Sequence, residues 1–452
     1  MKKLLALLII LITCLTACDS FVDVDTPNSQ LTGDNVFKDV TTANAAMADV
    51  YAKLRDGGAL TGTMLGTSYT LGLYSDELTY YSLSQSGEFT NSLIGSSGSP
   101  AAIWTDSYRQ IYGANAVIEG VAHAVALPEA DRARLRGEAL FARALSHFNL
   151  VNIFGDVPYV TSTDYEVNRQ VSRMPVEEVY QHLIDDLNEA LTLIPEDYPT
   201  DGRVRPNKAT AHALLARVYL YNGDWAEAAN EASAVINNPL YALEENLDNV
   251  FLKESTETIW QFMPKLEGDN TNEASVFVFL TGPPPVVALS DWLATSFEAG
   301  DQRREHWVAE VTDMTDSWYH ATKYKQNTNT GSSVEYSVVF RLAEMYLIRS
   351  EARARQGEVS SAAEDLNTIR NRAGLPDSPA VASADIIEAV LEERRHELFT
   401  EHGHRFFDLK RFDLLDEVLS PVKPGWDHTD MHWPIPNSDL LSNPNLNQNP
   451  GY

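Results

Sequence analysis

The stretch KATAHALLARVYLYNGDWAEAANEASAVIN (residues 208–237) decides the fold. Leu214, Leu215, Val218 and Tyr219 recur at helical spacing, Asn222 and Gly223 break the pattern, and Ala228, Ala229, Val235 and Ile236 resume it. That is two helices joined by a tight turn. The form returns at 338–373, where Gly357 is followed five residues later by Ala362 and Ala363, as Gly223 is followed by Ala228 and Ala229. Small side chains at that offset let two helices approach closely, as in tetratricopeptide-type hairpins. Neither copy carries the full consensus, so a generic pair of helical hairpins also fits.

Working outward, the same period extends over most of the chain. Residues 41–54 place Ala45, Ala46, Ala48, Val50, Tyr51 and Leu54 in a helical pattern, and 104–121 repeat Trp104, Tyr108, Ile111, Tyr112, Asn115 and Ile118 at steps of three and four. At 129–154, Leu140, Ala144, Phe148 and Val151 form one stripe with Phe141 and Leu145 beside it, which predicts a helix buried between neighbours. Pro175 with Glu177 and Glu178 marks another helix start, since proline presets φ and carboxylates suit the positive end of the dipole. The predicted fold class is mostly α, built from tetratricopeptide-like hairpins.

Two segments break the pattern. Residues 57–100 are rich in Gly, Ser and Thr, with Tyr69, Tyr74, Tyr80, Tyr81 and Phe89 among them, which is loop composition carrying large aromatic rings. Residues 238–336 read as irregular, with Pro283, Pro284 and Pro285 in series and Trp292, Trp307, Trp318 and Tyr319. That length exceeds an ordinary connection, so the segment is expected to fold onto the helices as a functional surface. The chain therefore divides into 1–17, 18–237, 238–336 and 337–452.

The first 17 residues read as a signal. Lys2 and Lys3 give a positive start, and Leu4 to Leu15 form an apolar run of about a dozen residues, too short to span a bilayer. It ends in LTAC (15–18), which resembles a bacterial lipobox with Cys18 as the lipidated residue, whereas an ordinary secretory signal would leave Cys18 a plain thiol. The other cysteine, Cys14, lies inside the signal, so a chain lipidated at Cys18 keeps no thiol for a disulfide, a zinc cluster or a nucleophile. Removing the signal leaves 435 of 452 residues, and no later run is apolar enough to cross a membrane.

Charge narrows the function. The formal net charge is −30, and losing Lys2 and Lys3 takes it to −32, which argues against nucleic acid or anionic lipid as ligand. Arginines outnumber lysines 23 to 11, as on a salt-adapted surface, although a solvated acidic surface needs no special cause. In HELFTEHGH (396–404), His396 and His402 are six residues apart, roughly 240° around a helix, so no zincin-type pair forms. DNTNE (269–273) resembles the start of a calcium loop but lacks the later glycine and glutamate; no cofactor is expected, with a structural calcium left open. No GxSxG, phosphate loop or dinucleotide fingerprint occurs, which favours binding over turnover.

Aromatic rings in loops suit sugar binding, because a flat apolar face stacks on the CH face of a sugar ring while neighbouring polar groups meet its hydroxyls. Tyr80, Tyr81, Trp307, Trp318 and Tyr319 are the candidates, each with packing as the competing role. Trp104 and Trp225 are assigned to packing, and Trp292, beside Leu289 and Leu293, to the core.

Several strings, in order, resemble the SusD/RagB family of outer-membrane nutrient-binding lipoproteins of Bacteroidota. They are YSDEL (74–78), WxxxYxxIxxAN (104–115), GEALFARALSHFNLVNIFGDVP (137–158), ALLARVYLYNGDW (213–225), RLAEMYLIRSEARA (341–354), DLNTIRNRAGL (365–375), ERRHELFTEHGHRFFDLKRF (393–412), WPIP (433–436) and NPNLNQNPGY (443–452). The resemblance implies a SusD-like α-α superhelix of four tetratricopeptide-like units, a loop-rich ligand-binding part, and attachment to the outer membrane, facing outward, through a lipid on Cys18. It implies a SusC-like TonB-dependent transporter as partner, with an oligosaccharide or polysaccharide ligand, bound without cleavage. A RagB-like peptide binder is the alternative; an exported glycan-cleaving enzyme and a purely protein-binding adaptor are further ones. The implied site draws on 57–100 and 270–324, and where such relatives place a tryptophan in the first loop this chain has Tyr80, Tyr81 and Phe89. The charged string of Glu393, Arg394, Glu397, Arg405 and Asp408 reads as structural ion pairing around the last helix.

Overall fold

The computed structural model describes residues 36–452; the signal segment, Cys18 and the polar lead at 19–28 lie outside them. Helices dominate. The principal ones are α1 (Val40–Asp56), α2 (Thr67–Tyr74), α3 (Gly98–His123), α4 (Glu129–Phe154), α5 (Val176–Leu193), α6 (Lys208–Asn222), α7 (Trp225–Ile236), α8 (Leu342–Arg355), α9 (Val359–Arg372), α10 (Ser383–Leu398) and α11 (His404–Arg411). Short strands are β1 (Leu78–Tyr80), β2 (Thr258–Phe262), β3 (Val287–Leu289), β4 (Val308–Thr312), β5 (Ser317–Ala321) and β6 (Ser337–Arg341).

Helices α1/α3, α4/α5, α6/α7 and α8/α9 pack as four successive hairpins, each leaning on the next, with α10 closing the end against α8. The hairpin at 208–237 has the turn read from its sequence: Gly223 caps α6 at φ 84°, a left-handed conformation that glycine adopts without a Cβ clash. Helix α4 is buried nearly all round from Gly137 onward, as its many-sided apolar pattern predicts.

Buried arginines stitch the hairpins together. Arg143 grips Asp186 through two bonds of 2.7 and 2.6 Å between α4 and α5, and Arg217 grips Glu344 through bonds of 2.7 and 2.6 Å between α6 and α8. Arg349 does the same with Asp365 between α8 and α9. Glu138 on α4, fully buried, collects Tyr51, Arg134 and Arg205. Each pair fixes one crossing, since a planar guanidinium fork matches a carboxylate in one geometry.

Two expectations change. Residues 57–100 contain α2, every residue of which is buried, so TSYTLGLY has no polar face to give a helical period. Residues 238–336 are not wholly irregular, because β2 to β5 fall within them; at three to five residues each, such strands are too short to declare an alternation.

Both segments are insertions into the helical array, the first between α1 and α3 and the second between α7 and α8. β1 and β3 to β5 make a four-stranded sheet in the order β1-β3-β5-β4, while β2 and β6 form a separate pair. No described helix is long and apolar enough to cross a membrane.

Candidate functional site

The two insertions meet in the four-stranded sheet. β1 of the first pairs antiparallel with β3 of the second, with Leu78 opposite Leu289, Thr79 opposite Ala288 and Tyr80 opposite Val287. The ladder continues as Tyr81 donates its backbone N–H to the Val286 carbonyl at 2.8 Å. β3 meets β5 at Leu289 and Tyr319, and β4 runs along β5. Side chains alternate along a strand, so Leu78, Val287, Leu289 and Ala321 join the core beneath, with Tyr80 and Tyr319 packed at its edge. Trp318 and Ala288 turn to the opposite face, under Phe279.

The five aromatic candidates separate on this frame. Trp307 is fully buried; its Nε1 donates to the Leu247 carbonyl at 3.1 Å and the Lys323 ammonium lies 5.1 Å over its ring, so it packs the core and offers no face to a ligand. Trp318 is mostly covered, because the chain at Gly282 crosses its ring so closely that a Cβ there would stand 1.9 Å from it. Tyr319 is half-buried with the Arg304 guanidinium 5.0 Å over its ring. Tyr80 is half-buried and bonds Ser84 at 2.7 Å. Tyr81 is exposed; burial of part of its ring, then the charges of Asp291 and Asp316, push its hydroxyl above the usual tyrosine value.

Trp292 corrects its assignment to the core. It stands 64% exposed while Leu293 takes the inward position of the short helix Asp291–Ala294. A one-residue offset in a single helical turn was enough to mislead the apolar pattern. Trp292 and Tyr81 flank the same carboxylate, Asp291, and both offer ring surface to a ligand.

Buried charge roots the sheet in the helices. Asp76, just before β1, receives Arg405 through bonds of 2.8 and 2.9 Å and has Arg395 at 3.6 Å. Burial pushes its carboxyl up, yet the Arg405 bonds and both arginine charges outweigh that and hold it below the usual carboxylate range. Its neighbour Glu77 lacks such a partner; burial, then the Asp76 charge, raise it to about 8. After β5, Lys323 bonds the carbonyls of Glu397 and Phe399 at 2.8 Å each and the Glu401 carboxylate at 2.5 Å. Arg303 binds Glu393 and Glu397, and Arg394 binds Asp408. The charged string read from sequence is thus ion-paired, with Arg405 and Glu397 reaching across to the inserted segments. His396 bonds Ser296 while His402 accepts or donates at the Val338 carbonyl, so the two serve different neighbours. Among the described residues no three His, Cys, Asp or Glu side chains gather in a metal-binding group.

Beside the sheet lies a cavity of about 400 Å³ between the end of α1, residues 262–275 and residues 326–329. Its wall is built by Asn270, which donates to Thr328 and Thr330 and accepts from the N–H groups of Val334 and Glu335, pinning the two loops together. Asn329 bonds Asp269 at 2.9 Å. Asn272, Gln326 and Asn327 line the space with side chains that hold no other described residue. Sequence reading passed over these amides; the signal was their density in GDNTNEAS (268–275) and QNTNTG (326–331). DNTNE belongs to this wall rather than to a calcium loop.

A right-handed stack of helical hairpins carrying an inserted sheet, exposed rings and an amide-lined cavity is the architecture of a binding protein. Two family profiles match the chain: one described as SusD-like, starch-binding and associating with the outer membrane, over residues 20–220, and the SusD family profile over 308–430. The chain belongs to the SusD/RagB family. It is 29% identical to SusD-like protein P2 of Formosa agariphila across the full length of both, and 25% identical to the starch-binding protein SusD of Bacteroides thetaiotaomicron over 72% of this chain and 74% of that one. Among solved structures, a laminarin-binding SusD-like protein superposes with a TM-score of 0.78 at 26% identity, covering 91% of this chain and 99% of the other. A SusD-like protein of Bacteroides fragilis has the same fold, with a TM-score of 0.80 at 20% identity over 95% of this chain and 100% of its own.

Proposed function

We propose that this protein is a cell-surface lipoprotein, anchored in the outer membrane through Cys18, that binds oligosaccharides without cleaving them and passes them to a SusC-like TonB-dependent transporter. The observation that carries the reading is the meeting of two distant insertions in one sheet, which gathers Tyr80, Tyr81, Trp318 and Tyr319 with Trp292 beside the amide-lined cavity. Rings for stacking and amides for hydroxyl groups are the two halves of sugar recognition. The starch- and laminarin-binding relatives support the ligand class. The LTAC string supports the anchor, and the net charge of −30 speaks against nucleic acid as partner.

The test pairs retention with turnover. Purified protein run through gels containing neutral or acidic polysaccharides should be retarded by at least one, and incubation with the same polymers should release no new reducing ends. New reducing ends would make it a glycan-cleaving enzyme; retention by peptides alone would move it to the RagB-like reading.

A further inference from the structure

The floor of the amide-lined cavity holds a carboxyl group with unused bonding capacity. Glu273 is 3% exposed, and one of its oxygens accepts from the Ser337 hydroxyl, while the other has no hydrogen-bond partner. Gly62 lies against that second oxygen, and a Cβ there would stand 2.1 Å from it, so only glycine leaves the carboxyl its place. Burial pushes Glu273 above the usual carboxylate range. A buried oxygen without a partner favours a ligand group that can bond to it.

The rim carries no spare positive charge. Arg55 is engaged by Asp56 through bonds of 2.6 and 2.8 Å and by the Met263 carbonyl at 3.3 Å. Lys265 acts on the same Asp56, whose carboxyl is lowered chiefly by the Arg55 bond. Asp269 adds a negative charge beside Asn329. An acidic sugar entering here would meet carboxyl groups and no uncommitted guanidinium fork. Asn272, Gln326 and Asn327, by contrast, each offer a donor and an acceptor, which matches a hydroxyl group acting as both.

We infer that this cavity takes a neutral, hydroxyl-rich sugar unit, hydrogen-bonded by Asn272, Gln326 and Asn327 above the Glu273 floor, and that it rejects uronic or sulfated units. The inference rests on the glycan-binding reading and narrows it to a substrate class. Affinity electrophoresis in gels of laminarin or starch against gels of alginate or pectate tests it. The parent should be retarded by a neutral glucan and migrate freely through both acidic polymers. Asn327→Ala, at an exposed position, should weaken neutral retention by about tenfold, the scale of one or two lost hydrogen bonds. Asn272→Trp, also exposed, should fill the cavity and abolish it. Retention by alginate or pectate equal to that by glucan, or unchanged neutral retention in both variants, overturns the inference while leaving glycan binding intact. Free migration through all four gels overturns the inference and the glycan reading together.

Discussion

Replacing Asp76 by Ala should detach the sheet from the helices that hold it. The carboxylate is 5% exposed, Arg405 is equally buried, and two bonds of 2.8 and 2.9 Å join them, with Arg395 at 3.6 Å. Removing it strands two guanidinium groups in a low-dielectric interior. Breaking a buried ion pair from one side costs about 3–5 kcal/mol, against a total domain stability of roughly 5–15 kcal/mol. Urea unfolding followed by tryptophan fluorescence at pH 7 reads that loss directly.

The pH dependence fixes the cause. Asp76 is held below its usual value of 3.8 in the fold, so its contribution is present above that value and disappears as pH falls through the lower folded one. The gap between parent and variant should therefore persist from pH 7 to about 5 and close in strong acid. Because Asp76 immediately precedes Glu77 and β1, glycan retention should fall along with stability. A loss below about 1 kcal/mol, the scale of an exposed pair, with retention unchanged, would refute the reasoning.

Other perturbations act on neighbouring parts. Gly282→Ala should place a methyl 1.9 Å from the Trp318 ring and cost about 1–3 kcal/mol through overpacking, visible as a lowered urea midpoint and an altered near-ultraviolet tryptophan signal. Glu77 is raised from 4.5 to about 8, so its contribution is full below 4.5 and is lost as pH rises through about 8; Glu77→Gln should flatten that decline in unfolding free energy between pH 5 and 8. Cys18→Ala should keep ligand affinity in solution while abolishing uptake by cells, measured with a fluorescent oligosaccharide.

The helical scaffold was legible because its signals are local. The break at Asn222 and Gly223, the stripes of α4 and α5 and the small residues of the two repeats each lie within one or two elements. The sheet was not legible, since Leu78 finds Leu289 across more than two hundred residues and no strand in it exceeds five. The same distance hid the cavity, whose walls come from α1, 262–275 and 326–329. Aromatic type marked the right segments without telling which rings reach the surface: Trp307 and Trp318 turn inward, while Trp292, next to a buried leucine, turns out. The charged string near α10 was legible as ion pairing, but its partners Asp76, Arg303 and Arg341 came only with the fold.

Calorimetric titration of the parent and of a Tyr81→Ala/Trp292→Ala double variant with a neutral oligosaccharide tests most directly whether the two insertions together make a ligand surface. Both rings are exposed, so the variant should unfold at the parent's urea midpoint. The parent should give saturable heat, and the variant should bind at least tenfold more weakly, from about 1–3 kcal/mol of stacking lost. Equal affinities in the two proteins would contradict the account.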